Sequence, residues 1–218
     1  MKKRESNGVT RREFVTAAGG MLLASKVSAA SVAAEKARRE SLTGKDSSPV
    51  NKRKIPIGVF DPAFPDVPLD AMLDKVVSYG LEAMEIGTGG YSGNSHCPVE
   101  ELLDDPAKAR AWKKKFDDRN LRIGALSCHG NPVHPDAEHA GRDAQTFKRT
   151  VLLAERLEVP VIVGFSGCPG ASPADKTPSW ITYRWPPEFN EGLKWQWEQK
   201  LVPYWKEAAK FAEMCTSG

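Results

Sequence analysis

Four histidines, His96, His129, His134 and His139, all fall within residues 96–139. Imidazole changes its charge near neutral pH and is the commonest metal ligand, so the grouping points to acid–base or metal chemistry. His129 is the most informative. It lies in the stretch RIGALSCHGNPVHPD, residues 122–136, where a short apolar run (123–126) passes into a polar turn with Gly130 and Asn131. Parallel α/β proteins cover both faces of the sheet, so ligands reach it at the C-terminal ends of the strands. A histidine delivered there has chemical work within reach. Glu85 ends another apolar run (83–86), before Gly87, Gly89 and Gly90, and could face the same cavity, cap a loop or pair with a cation. His96 stands in a glycine- and serine-rich loop, as a solvated or rim-covering residue. His134 and His139 read as loop and helix-start residues.

The elements that must position these groups alternate strictly. Apolar runs at 55–60, 83–86, 123–126 and 159–165 read as strands. Leu69, Met72, Leu73, Val76 and Val77 recur at helical spacing before Gly80. A helical segment over 98–103 restarts at Pro106 and runs to Asn120. Phe147, Val151, Leu152, Ala154 and Leu157 mark another helix, and a last one spans about 191–214. Four β/α units imply a parallel sheet with right-handed crossovers. Two architectures fit, an open doubly wound sheet and a (β/α)8 barrel. Gly87-Thr88-Gly89-Gly90 has no helix directly behind it, so it makes no dinucleotide fingerprint. A barrel normally takes about 250 residues, so residues 55–218 read as roughly its first four β/α units.

Charge is divided along the chain. Residues 1–54 hold 13 Lys and Arg against 5 Asp and Glu, a net of +8, and residues 55–218 hold 18 against 23, a net of −5. An acidic body lacks the clustered basic face of a nucleic-acid binder. Its one basic run, Lys113-Lys114-Lys115, sits beside Asp117 and Asp118 and reads as a solvated helix face. Cys97, Cys128, Cys168 and Cys215 are too widely spaced for a zinc knuckle, and imply no disulfide framework in a chain this long. The first three each follow a strand, as packing residues or weak polar contacts along one rim.

Residues 1–30 carry the order of an export signal: Lys2-Lys3-Arg4, then Arg11-Arg12-Glu13-Phe14, then a Gly- and Ala-rich apolar run, then Ser28-Ala29-Ala30. The paired Arg11 and Arg12 resemble a twin-arginine signal, which implies the twin-arginine export machinery as a partner and a periplasmic or otherwise exported protein. The apolar run is too short for a stable membrane anchor. Residues 31–54 read as a linker.

Strand ends Glu85-Ile86-Gly87, Ser127-Cys128-His129-Gly130-Asn131-Pro132 and Gly164-Phe165-Ser166-Gly167 appear in that order. Trp185-Pro186-Pro187-Glu188-Phe189, Trp195-Gln196-Trp197-Glu198 and Pro203-Tyr204-Trp205 follow them. This order resembles the sugar phosphate isomerase/epimerase family, the xylose isomerase-like TIM barrels, over residues 55–218. The resemblance implies aldose–ketose isomerisation or epimerisation of a small carbohydrate, assisted by a divalent metal (Mn, Mg, Co or Zn). It places His129 where the family has a histidine facing substrate or an additional metal, with Glu85 and His96 as further candidates. Trp180, Tyr183 and Trp185 become a substrate lid whose rings stack on a sugar. The family's main metal ligands come from strands of the second half of the barrel. The 218-residue chain is therefore expected to lack them, and to be inactive by itself. Oligomeric state stays open. The competing readings are a non-catalytic carbohydrate- or partner-binding remnant and a metal-dependent endonuclease-like barrel.

Overall fold

The computed structural model of the chain describes residues 55–216. The leader with Arg11 and Arg12 and the linker over residues 31–54 lie outside the described residues. Four strands alternate with helices: β1 (Gly58–Phe60), α1 (Leu69–Ser78), β2 (Ala83–Gly90), α2 (Val99–Asp104), α3 (Pro106–Asp117), β3 (Arg122–His129), α4 (Ala137–Leu157), β4 (Ile162–Gly164), α5 (Glu188–Trp195) and α6 (Val202–Thr216). A 3-10 turn (Asp61–Ala63) follows β1, and a π-helical turn (Gln196–Leu201) joins α5 to α6.

All three strand pairings are parallel, and the sheet order is β1-β2-β3-β4. A doubly wound sheet reverses its strand order at a switch point, and this sheet does not. Sequential winding is the barrel arrangement. The helices pack one face of the sheet: Met84, Ile86, Ile123 and Leu126 join Met72, Leu73, Phe116, Leu153 and Leu157 in one apolar cluster. Each such side chain contributes about 1.5–3 kcal/mol on full burial.

Local chemistry sets the helix limits. α1 ends with Gly80 N–H donating to Val77 O (2.9 Å) and Leu81 N–H to Val76 O (3.3 Å), a Schellman closure. Asp105 caps α3 by accepting from Ala107 N–H (2.8 Å), and Asp136 caps α4 by accepting from His139 N–H (2.8 Å). That cap starts α4 ten residues before its first periodic apolar position, Phe147. β1 is shorter than its apolar run because Ile55 and Ile57 are exposed, and β4 shorter because Val161 and Phe165 are. Lys113, Lys114 and Lys115 are each ion-paired, with Glu158, Asp118 and Asp70, which fits a solvated face.

Two irregularities in the β2–β3 register decide which side chains leave the core. Met84 pairs with Ile123 but Glu85 with Ala125, so Gly124 is a bulge; Gly87 pairs with Ser127 and Gly89 with Cys128, so Thr88 is another. Strict alternation would put Ile123 on the same face as Ser127 and His129. The bulge at Gly124 lets Ile123 and Leu126 both enter the core while Ala125, Ser127 and His129 face away from the helices.

Candidate functional site at the strand ends

Glu85, Ser127 and His129 share the face of the sheet opposite the helices. Glu85 is expected from the sequence to end its strand, but β2 runs on to Gly90 and leaves it near the start, beside Phe60 of β1 and Ala125 of β3. Its carboxylate reaches along the face to Ser127, whose hydroxyl donates to Oε1 in a short hydrogen bond. Ser127 is fully buried, so this contact fixes the carboxylate. His129 lies two residues further on, about 7 Å along the strand, between the rings of Phe60 (5.5 Å between centroids) and Phe165 (4.6 Å). Neither ring nitrogen of His129 is engaged by a described residue, which leaves both for a ligand.

His96 is placed differently from the solvated or rim-covering, substrate- or metal-facing residue expected of it. It is buried, with Nδ1 2.7 Å from Asp61 Oδ2 and Nε2 donating to Val67 O at 2.8 Å. Asp61 Oδ1 accepts from Gly87 N–H at 2.7 Å. Both ring nitrogens are consumed in tying the end of β1 to the end of β2, so His96 positions the site and does not face a ligand. Asp61 carried no sequence signal, because its partners lie 26 and 35 residues away.

A cavity of about 500 Å³ opens beside His129. Its walls come from the loops after β2 (Gly90, Tyr91), β3 (Gly130, Asn131) and β4 (Phe165, Cys168, Trp180), and from the start of α4 (His139, Arg142, Asp143). Gly90 admits no side chain: its φ is 72° and a Cβ would lie 2.5 Å from His129 O. At Gly130 a Cβ would meet the Asp143 side chain at 2.8 Å. The Asn131 amide clamps two loops together, donating to Cys168 O (2.8 Å) and accepting from Cys168 N–H (2.9 Å). Asp143 accepts from Asn131 N–H (2.5 Å) and lies 3.1 Å from His139 Nε2. The His139 ring also stacks on His134 at 4.2 Å.

Of the three lid candidates only Trp180 lines this cavity; Tyr183 and Trp185 are exposed outside it. Their loop is held by Gln196, a buried side chain that donates to Gly170 O (3.1 Å) and Ser179 O (2.8 Å). Trp205 packs edge-on against Phe147 and donates to Ser166 O, a packing role. Cys97, Cys128 and Cys168 are all buried, which fits packing residues. Burial pushes the Cys97 thiol up to about 12 and the Cys128 thiol to about 11, so neither is a thiolate at neutral pH. Arg142, Tyr91 and Asp143 of the cavity were not singled out by spacing. The alternation of α4 with the strands is the one signal that could have found the α4 residues.

A divalent cation needs several converging donors. Among the described residues no three His, Cys, Asp or Glu side chains converge closely enough to hold one. Glu85 and His129 do not make a metal site by themselves.

A singly wound parallel sheet, with helices covering one face, is the arrangement of a β/α-barrel protein. The family model described as the xylose isomerase-like TIM barrel matches residues 73–216, and the chain belongs to that family. The uncharacterized protein YfiH of Bacillus subtilis (strain 168) is 36% identical over 154 residues, 70% of this chain and 49% of the relative. The chain spans about half the length of the curated relative it matches. A structure from Rhodospirillum rubrum, provisionally described as a xylose isomerase, superposes with a TM-score of 0.50 at 19% identity, over 74% of this chain and 51% of that one. A D-tagatose 3-epimerase-like protein is 16% identical over 74% of this chain and 50% of its own, with a TM-score of 0.46.

Proposed function

We propose that the protein is an exported, metal-dependent sugar isomerase or epimerase, of which the described residues supply the substrate-facing wall and not the metal ligands. The observation that carries this reading is a fixed carboxylate, Glu85 near the start of β2, on the same sheet face as an unengaged imidazole, His129 at the end of β3. Isomerisation and epimerisation both move a proton at a carbon next to a carbonyl. With Oε1 held by Ser127, the second oxygen of Glu85 accepts a hydrogen bond from a sugar hydroxyl. His129 donates to, or accepts from, a neighbouring oxygen, and Phe60 and Phe165 exclude water around it. Family membership supports the sugar substrate. The basic, twin-arginine-type start with Arg11 and Arg12 supports export.

The test is titration calorimetry of the purified protein, with Mn²⁺ present, against D-xylose, D-fructose and D-tagatose. Binding of at least one sugar, weakened about fivefold or more in His129→Asn and in Glu85→Gln, is expected, since one lost hydrogen bond to a ligand is worth about 1 kcal/mol or more. Failure of all three sugars to bind overturns the proposal.

A further inference from the structure

The cavity beside His129 extends the site sideways, beyond the strand ends and over the start of α4. His129 belongs to both regions. Glu85 lines a separate shallow hollow with Phe60 and Ala125, so a sugar reaching from Glu85 to His129 meets the cavity at its His129 end. The volume, about 500 Å³, lies within the roughly 300–1,000 Å³ that buries drug-sized molecules. A single monosaccharide placed at the Glu85–His129 face would leave this space to water.

The lining restricts what fills it. Phe165, Tyr91 and Trp180 present broad ring faces, and the last two are among the most exposed aromatic side chains described, at 91% and 80%. An aromatic face suits a ligand that is apolar on its flat side and polar at its edge, which describes a pyranose ring with its C–H bonds on one face and hydroxyls around the rim. Polar groups for such a rim are present in Arg142 and in the Asn131 amide proton that Cys168 O does not take. The charges argue against an anionic group. Arg142 is already 3.2 Å from Glu138, and the Asp143 carboxylate lines the same cavity. A phosphate or carboxylate would meet one carboxylate for each guanidinium. A purely apolar ligand would strand Arg142 and Asp143 without water.

Resting on the sugar-binding reading above, we propose that the ligand is a neutral reducing disaccharide. Its reducing-end sugar occupies the Glu85–His129 face and its second ring stacks on Trp180 in the side cavity.

The experiment is titration calorimetry of the full chain with glucose and with three reducing disaccharides, cellobiose, maltose and lactose. At least one disaccharide binds about tenfold more tightly than glucose, the equivalent of 1.4 kcal/mol. That ratio falls to within about twofold in Trp180→Ala and recovers in Trp180→Phe, which restores a ring face. Trp197→Ala, an exposed tryptophan outside the cavity, keeps the ratio. Trp180 is exposed, so its truncation does not threaten folding. Equal binding of glucose and all three disaccharides overturns this inference and leaves the sugar reading standing. A ratio that survives Trp180→Ala also overturns it. Failure of all four sugars, together with D-xylose, D-fructose and D-tagatose, overturns both.

Discussion

Asp61 Oδ2 and His96 Nδ1 lie 2.7 Å apart with both side chains only 2% exposed. Around this pair Gly87 N–H donates to Asp61 and Val67 O accepts from His96, so the segments at the ends of two strands meet at one buried contact. Removing one partner of a buried polar pair leaves the other without water or substitute, and the loss exceeds what the pair itself adds.

His96→Ala is therefore expected to lower stability by about 3 kcal/mol, read as a fall in the urea midpoint with unchanged slope. Asp61→Asn separates two descriptions of the pair. An amide can accept from Gly87 N–H and donate to Nδ1 of a neutral imidazole, so a neutral pair loses under about 1 kcal/mol. A loss equal to that of His96→Ala would show instead that the pair is ionic.

The Asn131 clamp predicts a second, smaller effect. Asn131→Ala removes both hydrogen bonds to the Cys168 backbone and is expected to cost about 1–2 kcal/mol. Hydrogen exchange at the Cys168 amide should accelerate, while amides in α1 stay protected. Unchanged exchange at Cys168 would remove the clamp from the account.

Much of this was legible in the sequence, and the failures have physical causes. Helix α1 was plain because Met72, Leu73 and Val76 repeat at the helical period and Gly80 closes it. His129 was legible because strand, histidine and glycine are consecutive. His96 misled because a loop rich in glycine and serine looks solvated, while the carboxylate that buries it is 35 residues earlier. The start of α4 showed only through the reading of His139 as a helix-start residue, because its first turns carry charge and no apolar repeat. Those turns supply His139, Arg142 and Asp143 to the cavity, and with no apolar repeat to orient them their facing was not legible.

Alkaline pH provides a third check. Burial raises the Cys97 and Cys128 thiols from the ordinary 9.0 to about 12 and about 11. Below pH 9 both states of the protein hold these protons and the thiols do not affect stability through ionisation. As pH climbs from 9 toward 11 and 12, the unfolded chain loses them first, and folding weakens. Urea midpoints measured at pH 8 and 10 should fall less in a Cys97→Ala, Cys128→Ala double variant than in the parent chain. An identical fall would exclude the thiols as the cause.

The same burial predicts selective labelling. At pH 8 a thiol reagent should modify the half-buried Cys215 quickly and Cys97 and Cys128 only after denaturation. Fast reaction of Cys128 in the folded protein would contradict its placement behind the sheet.

The tie between Asp61, Gly87 and His96 makes the mouth of the site lopsided. The β2 side is riveted to the first strand from within the protein, and the β3 loop is clamped through Asn131. The stretch with Trp180, Tyr183 and Trp185 shows exposed rings and is tied down by Gln196 and Ser179 N–H at one end and by Asn190, which donates to Arg184 O, at the other. A ligand entering the cavity therefore meets two tied strand-end loops and one wall of exposed rings.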